Sequence, residues 1–235
     1  MKPNLLETII ISIVGLALLG GIYFSHTDET FFRERYVVED GLLEWSSSIA
    51  LAVCSAIMFL RFLRAKSKPF LFFRATLLGA ALIFLFGAGE EISWGQRIFD
   101  IETPESLKEL NKQKELNLHN LQFGDFSVNK FFFAKVLAVV LVTILIIIPI
   151  FYRKKEGFKQ LVDRFAFPVP RLLHTVIWLA LIAITEGGAI VGKKSGEMTE
   201  FGGSLFFLLI LLYPLNRSIY SLDSSLEDEI EDTKT

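Results

Sequence analysis

The chain has 235 residues, 52% of them hydrophobic and 23 of them Phe, with a mean hydropathy of +0.48. A soluble domain of this length is not that apolar, so the composition predicts a membrane protein. The formal charge of -2 offers no basic field for nucleic acid, and the single Cys54, inside an apolar run, has no intrachain disulfide partner.

Long apolar runs predict six transmembrane helices, near 6–24, 42–62, 71–91, 131–151, 172–190 and 203–220. At about 20 residues per crossing they consume about half of the chain, so residues 1–220 read as one all-α polytopic bundle with no separate soluble catalytic domain. The first run has only Lys2 ahead of it and no small-residue cleavage site after Leu18, which reads as an anchor rather than a signal peptide. Arg61, Arg64, Lys66, Lys68 and Arg74 follow the second run with no acid among them. Arg153, Lys154, Lys155, Lys159, Arg164 and Arg171 follow the fourth, against Glu156 and Asp163. Both connections are expected in the cytoplasm, as are both termini, which leaves 25–41, 92–130 and 191–202 outside. Between the third and fourth runs, Thr103-Pro104-Glu105 is a helix-start signal, and Leu107, Leu110, Leu118 and Leu121 then fall roughly on one face. A short amphipathic helix over 103–121, lying on the outer surface, is expected. The tail 221–235, with Asp223, Glu227, Asp228, Glu229, Glu231 and Asp232, reads as a disordered cytoplasmic end.

Carboxylates inside spans are costly, about 2.5–3.5 kcal/mol each near the centre, so their placement needs a reason. Once the spans are directed, Glu39, Asp40 and Glu44 open the second helix at the outer side, and Glu90 and Glu91 end the third there. Glu186 lies 14 residues beyond Leu172, about 21 Å into a hydrocarbon layer of about 30 Å, the deepest of the set. If the third helix continues through GEEISWGQRIF, Glu90, Ser93 and Arg97 share one face. Arg97 could hold a phosphate or carboxylate in two hydrogen bonds, with Trp94 and Gln96 completing a substrate-binding set. Glu115 and His119 stand four apart, a spacing that suits a metal pair on a helix. Together with Glu44, Glu91 and Glu186, His119 gives an oxygen-rich set compatible with a divalent metal such as zinc, manganese, iron or calcium. Glu197 and Glu200 sit in a Gly-rich outer segment beside Lys193 and Lys194, and His26 and His174 read as structural.

Three stretches carry a resemblance: EDGLLEW at 39–45, GEEISWGQR at 89–97 and NLHN at 117–120. They resemble motifs of a family of bacterial polytopic membrane proteins, which implies a multi-pass protein of the bacterial inner membrane and brings no activity with it. Glu90 and Glu91 followed by an Arg are also similar to the Glu-Glu-x-x-x-Arg motif of intramembrane glutamate proteases. Arg97 comes two residues later than that motif has it, and no Phe-x-x-x-His follows on a membrane helix.

Three functions fit these residues. The first is a hydrolase or transferase acting at the outer leaflet on a lipid-linked or headgroup substrate, with Glu90, Glu91, Arg97 and His119 as the catalytic set. The second is an accessory or scaffold subunit docking an exported membrane-protein partner. The third is a proton- or cation-coupled transporter, against which the basic half offers no matching carboxylate within a span.

Overall fold

The computed structural model describes residues 3–65, 71–111, 114–118, 120–124, 126–128, 136–192 and 194–220. Lys66, Lys68, His119, Lys193 and the acidic tail lie outside the described residues.

The chain is mostly helical, and five helices are long and apolar enough to cross a membrane: α1 (Leu5–Thr27), α2 (Leu42–Arg64), α3 (Leu71–Glu91), α4 (Leu137–Lys154) and α7 (Ser195–Leu212). Between α4 and α7 come α5 (Glu156–Arg164) and α6 (Leu172–Thr185). The fifth expected span, 172–190, is thus α6, whose 14 residues rise about 21 Å rather than about 30 Å, and the sixth, expected over 203–220, is α7, which runs Ser195–Leu212. The expected end of α6 at 190 is cut short because Gly188 turns into the left-handed region (φ 87°). A Cβ on Gly187 would also collide with the Ala183 carbonyl.

α2 lies along α3 on one side and α7 on the other, and α7 also packs against α6 and α1. Small residues allow the close α2–α3 approach: the buried face of α2 includes Ser47, Ser48, Ala50, Cys54 and Ser55. Ser48 donates to the Ala88 carbonyl at 2.8 Å and Ser55 to the Ala81 carbonyl at 2.7 Å, so both hydroxyls are satisfied across the interface. α4 joins the bundle through a freed carbonyl. Pro149 has no N–H to offer Leu145 four residues back, and Thr175 of α6 donates to that oxygen at 3.0 Å instead.

The bundle has two chemically distinct ends. At the basic end, Asn216 ties the start of α6 to the end of α7, accepting from the Val169 N–H at 3.0 Å and donating to Asp163 at 2.8 Å. Arg61 donates to the Leu211 carbonyl and stacks over Tyr220. At the acidic end, a helical hook from Glu29 to Tyr36 folds back on α1. The Tyr36 hydroxyl donates to the Ala17 carbonyl at 2.7 Å; burial pushes its pKa up, so it stays a donor.

The amphipathic helix expected over 103–121 is realised as a single turn, Glu105–Lys108. Beyond it, Asn111 bridges to Leu121, and a two-stranded hairpin pairs Gln122–Phe123 with Phe126–Ser127. The reason lies in the side chains that compete for the backbone. The Leu116 and Leu118 amides donate to Gln96 and Glu90, so they have no part in a helical ladder.

Candidate functional site

The acidic end is organised by how α3 stops. The helix ends at Glu91, and Ser93, Trp94 and Gly95 all take left-handed backbone (φ 45°, 57° and 72°). The chain therefore reverses, and the expected shared face of Glu90, Ser93 and Arg97 does not form. The reversal lays the Trp94 ring against Gly89, where a Cβ would approach the ring to 2.8 Å, and Trp94 Nε1 donates to Glu90 Oε1 at 2.8 Å.

Glu90 is only 4% exposed. Its second oxygen accepts the Leu118 N–H at 2.7 Å, which binds the NLHN segment directly to the end of α3. Gln96 makes a second tie, accepting the Leu116 N–H at 2.7 Å and donating to the Thr103 hydroxyl at 2.7 Å. A third runs through buried amides and a hydroxyl. Ser93 donates to Glu115 at 2.6 Å, Asn117 donates to Ser93 at 3.0 Å and to Glu115 at 2.9 Å, and Asn111 donates to Asn117 at 2.9 Å. Arg97 clasps the outside of this lattice by pairing with Asp40 and Glu115. The Asp40 amide in turn donates to the Glu44 carboxylate, so all three motif segments meet.

The predicted site residues therefore separate. Glu90, Trp94, Gln96 and Arg97 are held by the chain itself, and Arg97 already faces two carboxylates. Glu91 differs: among the described residues its carboxyl makes no hydrogen bond or ion pair, while the charges of Glu44 (α2), Glu197 (α7) and Glu90 act on it. Glu186 is not brought to this group. It caps α6 as an exposed side chain and accepts from Thr199 at 3.0 Å, rather than sitting deepest in the bundle. His119 falls outside the described residues, although its neighbour Leu118 is bonded to Glu90. Glu115, expected to pair with His119 on a helix, lies instead in the non-helical segment clasped by Arg97.

Among the described residues no three His, Cys, Asp or Glu side chains stand together as a metal-binding group. Of the expected metal set, Glu44 and Glu91 are neighbours, Glu186 bonds Thr199 of α7, and His119 is not described.

Sequence reasoning missed Asp40, Asn111 and Asn117 as site-builders and left Glu197 in a Gly-rich outer segment without a role in the site. Asn111 and Asn117 are buried polar residues with nothing periodic about them; Asn117 was signalled by the NLHN stretch it opens, Asn111 only by its place in a stretch too polar for a span. Glu197 was legible in principle, because it lies in the first turn of α7, whose N-terminus favours an acid.

Comparisons with family models, with curated proteins and with solved structures find no match to this chain.

Proposed function

We propose that this multi-pass membrane protein is a hydrolase or transferase of the bacterial inner membrane. Its acidic end faces outward and acts on a lipid-linked or headgroup substrate. Glu91 is the general base or acid, and Glu44 and Glu197 share its site as proton-exchanging neighbours. The lattice of Glu90, Ser93, Gln96, Arg97, Glu115 and Asn117 is the frame that fixes Glu91 rather than part of the chemistry. The observation that carries this reading is the contrast within one motif. Four of its side chains, Glu90, Ser93, Gln96 and Arg97, are spent on holding the outer segment, while Glu91 is left beside carboxylates from two other helices. The metal-assisted form adds His119 to Glu44 and Glu91, and elemental analysis of purified full-length protein decides it.

The test is turnover in proteoliposomes of bacterial polar lipid, with new lipid or headgroup species read by mass spectrometry. Wild type is expected to produce a new species and Glu91→Gln to lower its rate by about 10²–10⁴-fold with the fold unchanged. Identical lipid profiles for wild type and variant would remove Glu91 from the chemistry.

A second reading, proton- or cation-coupled transport, is favoured by one observation: Glu7, buried at the basic end, contacts Arg171 and His174. That half of the bundle thus has a carboxylate within a span. Proton flux into proteoliposomes that is abolished by Glu7→Gln and by Glu91→Gln alike would place this reading first.

A further inference from the structure

The connection from α4 to α6 crosses the basic end as a helix of its own. α4 stops at Lys154, Lys155 takes extended backbone (φ -133°, ψ 109°), and α5 runs from Glu156 to Arg164. Eleven residues of unbroken helix would rise about 16 Å, yet the Tyr152 hydroxyl donates to Asp163 at 3.0 Å, so α5 turns back across the end of α4. It is held to a span at both ends. The Phe158 ring lies 5.8 Å from that of Phe151 in α4, and the Phe165 ring lies 5.3 Å from that of Phe72 in the first turn of α3. α5 therefore sits at the level where two spans leave the hydrocarbon.

The sequence of α5 suits that level. Phe158, Leu161, Val162 and Phe165 recur at spacings of three and four and form one apolar stripe, while Glu156, Lys159, Gln160 and Asp163 take the other side. The bundle covers only half of the stripe. Val162 is buried against Tyr152 and Val169 with Phe158 beside them, whereas Leu161 is 50% exposed, Phe165 38% and Phe72 52%. Along a span such side chains face hydrocarbon. Past its end they would face water, unless the helix lies in the membrane boundary.

The charges at this end say what that boundary carries. Among the described residues, Arg64, Arg74, Arg153, Lys154, Lys155 and Arg217 form no ion pair. The acids of the same end are engaged within the fold: Glu7 by Arg171, Glu156 by Lys159, and Asp163 by Tyr152 and Asn216. A surface of such cations beside exposed apolar side chains complements an anionic headgroup carried on an acyl chain. Free phosphate would have nothing to place against Leu161, Phe165 and Phe72.

We propose that α5 is an interfacial helix that binds anionic phospholipid. Leu161, Phe165 and Phe72 sit in the acyl boundary of the leaflet at the basic end, and the cations around them hold its headgroups. This surface lies at the opposite end of the bundle from Glu91 and is independent of the reaction proposed there.

The test uses full-length protein in phosphatidylcholine nanodiscs containing a trace of spin-labelled phosphatidylglycerol or spin-labelled phosphatidylcholine. The fraction immobilised on the wild type is expected to favour phosphatidylglycerol about 5-fold at low salt, and less at high salt. Arg153→Gln with Lys154→Gln should lower that preference at least about 2-fold. Both side chains are exposed, so the fold does not depend on them. A spin label on Leu161→Cys should be relaxed more by oxygen than by a water-soluble nickel chelate, and one on Gln160→Cys the reverse; Cys54 is buried and stays unlabelled. Equal immobilisation of the two lipids, a preference that the double change leaves untouched, or a label at Leu161 as open to the chelate as that at Gln160 would overturn the proposal. So would a preference that emerges only once residues 221–235 are removed, since the acidic tail would then be the occupant of these cations. Turnover enters none of these readouts, which keeps the outcome separate from that of the Glu91 reading.

Discussion

Glu90 and Leu118, 28 residues apart, are joined by a hydrogen bond of 2.7 Å from the Leu118 amide to a carboxylate that is almost fully buried. That one contact turns two separate motifs into a single unit and gives Glu90 a structural occupation. Glu90→Ala would strand both the Leu118 N–H and the Trp94 Nε1–H. A loss of about 3 kcal/mol is expected, since hydrogen bonds to a charged group contribute about 1.5–3 kcal/mol each and do not add fully. Thermal unfolding of the purified protein should show a clear fall for Glu90→Ala and almost none for Glu91→Gln. Equal falls would mean that Glu91 also carries structure.

Arg97 is expected to behave as a clasp. Its side chain is 44% exposed, and it bridges Asp40 and Glu115 at the surface. Exposed ion pairs of this kind contribute about 0.2–1 kcal/mol. A double-mutant cycle between Arg97→Gln and Asp40→Asn should return a coupling in that range. In the turnover assay Arg97→Gln should weaken activity far less than Glu91→Gln does. A loss as deep as that of Glu91→Gln would restore Arg97 to the substrate-binding role expected from the sequence.

How much of this was legible depended on whether a residue's role was local. The apolar runs gave the helices because span length and hydropathy are local properties, and the starts at Leu42, Leu71 and Leu172 fall where the runs begin. The gathering of Glu44, Glu90 and Glu91 at one end followed from alternating helix direction, which is again simple geometry. The path from Ser93 to Leu121 was not legible. Its local signals favour helix, and left-handed backbone at Ser93 and Trp94 overrides them so that Glu90 and Gln96 can take the Leu118 and Leu116 amides. Glu186 was read as lying inside a helix that ran to 190, whereas α6 stops at Thr185 and leaves Glu186 exposed at the helix end. Glu7 had a signal that went unread: Asn4 three residues ahead of an acid at the start of an apolar run is a capping box.

The α4–α6 contact yields a prediction in which two defects cancel. Thr175 donates to the Leu145 oxygen that Pro149 leaves without its helical partner. Thr175→Val alone should cost about 1 kcal/mol. In a Pro149→Ala background the restored N–H can bond Leu145, and the same Thr175→Val change should then cost markedly less. Unfolding curves of the four proteins in one detergent measure this, and an unchanged Thr175→Val cost in both backgrounds would show that the hydroxyl serves another partner.

Glu7 and Arg171 form a buried pair, so removing one partner should harm the fold more than removing both. Glu7→Ala leaves the Arg171 guanidinium, 12% exposed, without its counter-charge, and breaking such a pair from one side costs about 3–5 kcal/mol. Glu7→Ala also opens the capping box at Asn4, worth about another 1 kcal/mol. The double change Glu7→Gln with Arg171→Leu keeps a side-chain oxygen able to accept from the Asn4 N–H while deleting both charges. It is expected to recover most of the folded yield lost in Glu7→Ala, as read by monodisperse protein from size-exclusion chromatography. If the double variant were as poorly folded as Glu7→Ala, the charge of the Glu7–Arg171 pair would itself be required, and a purely structural account of the basic end would be insufficient.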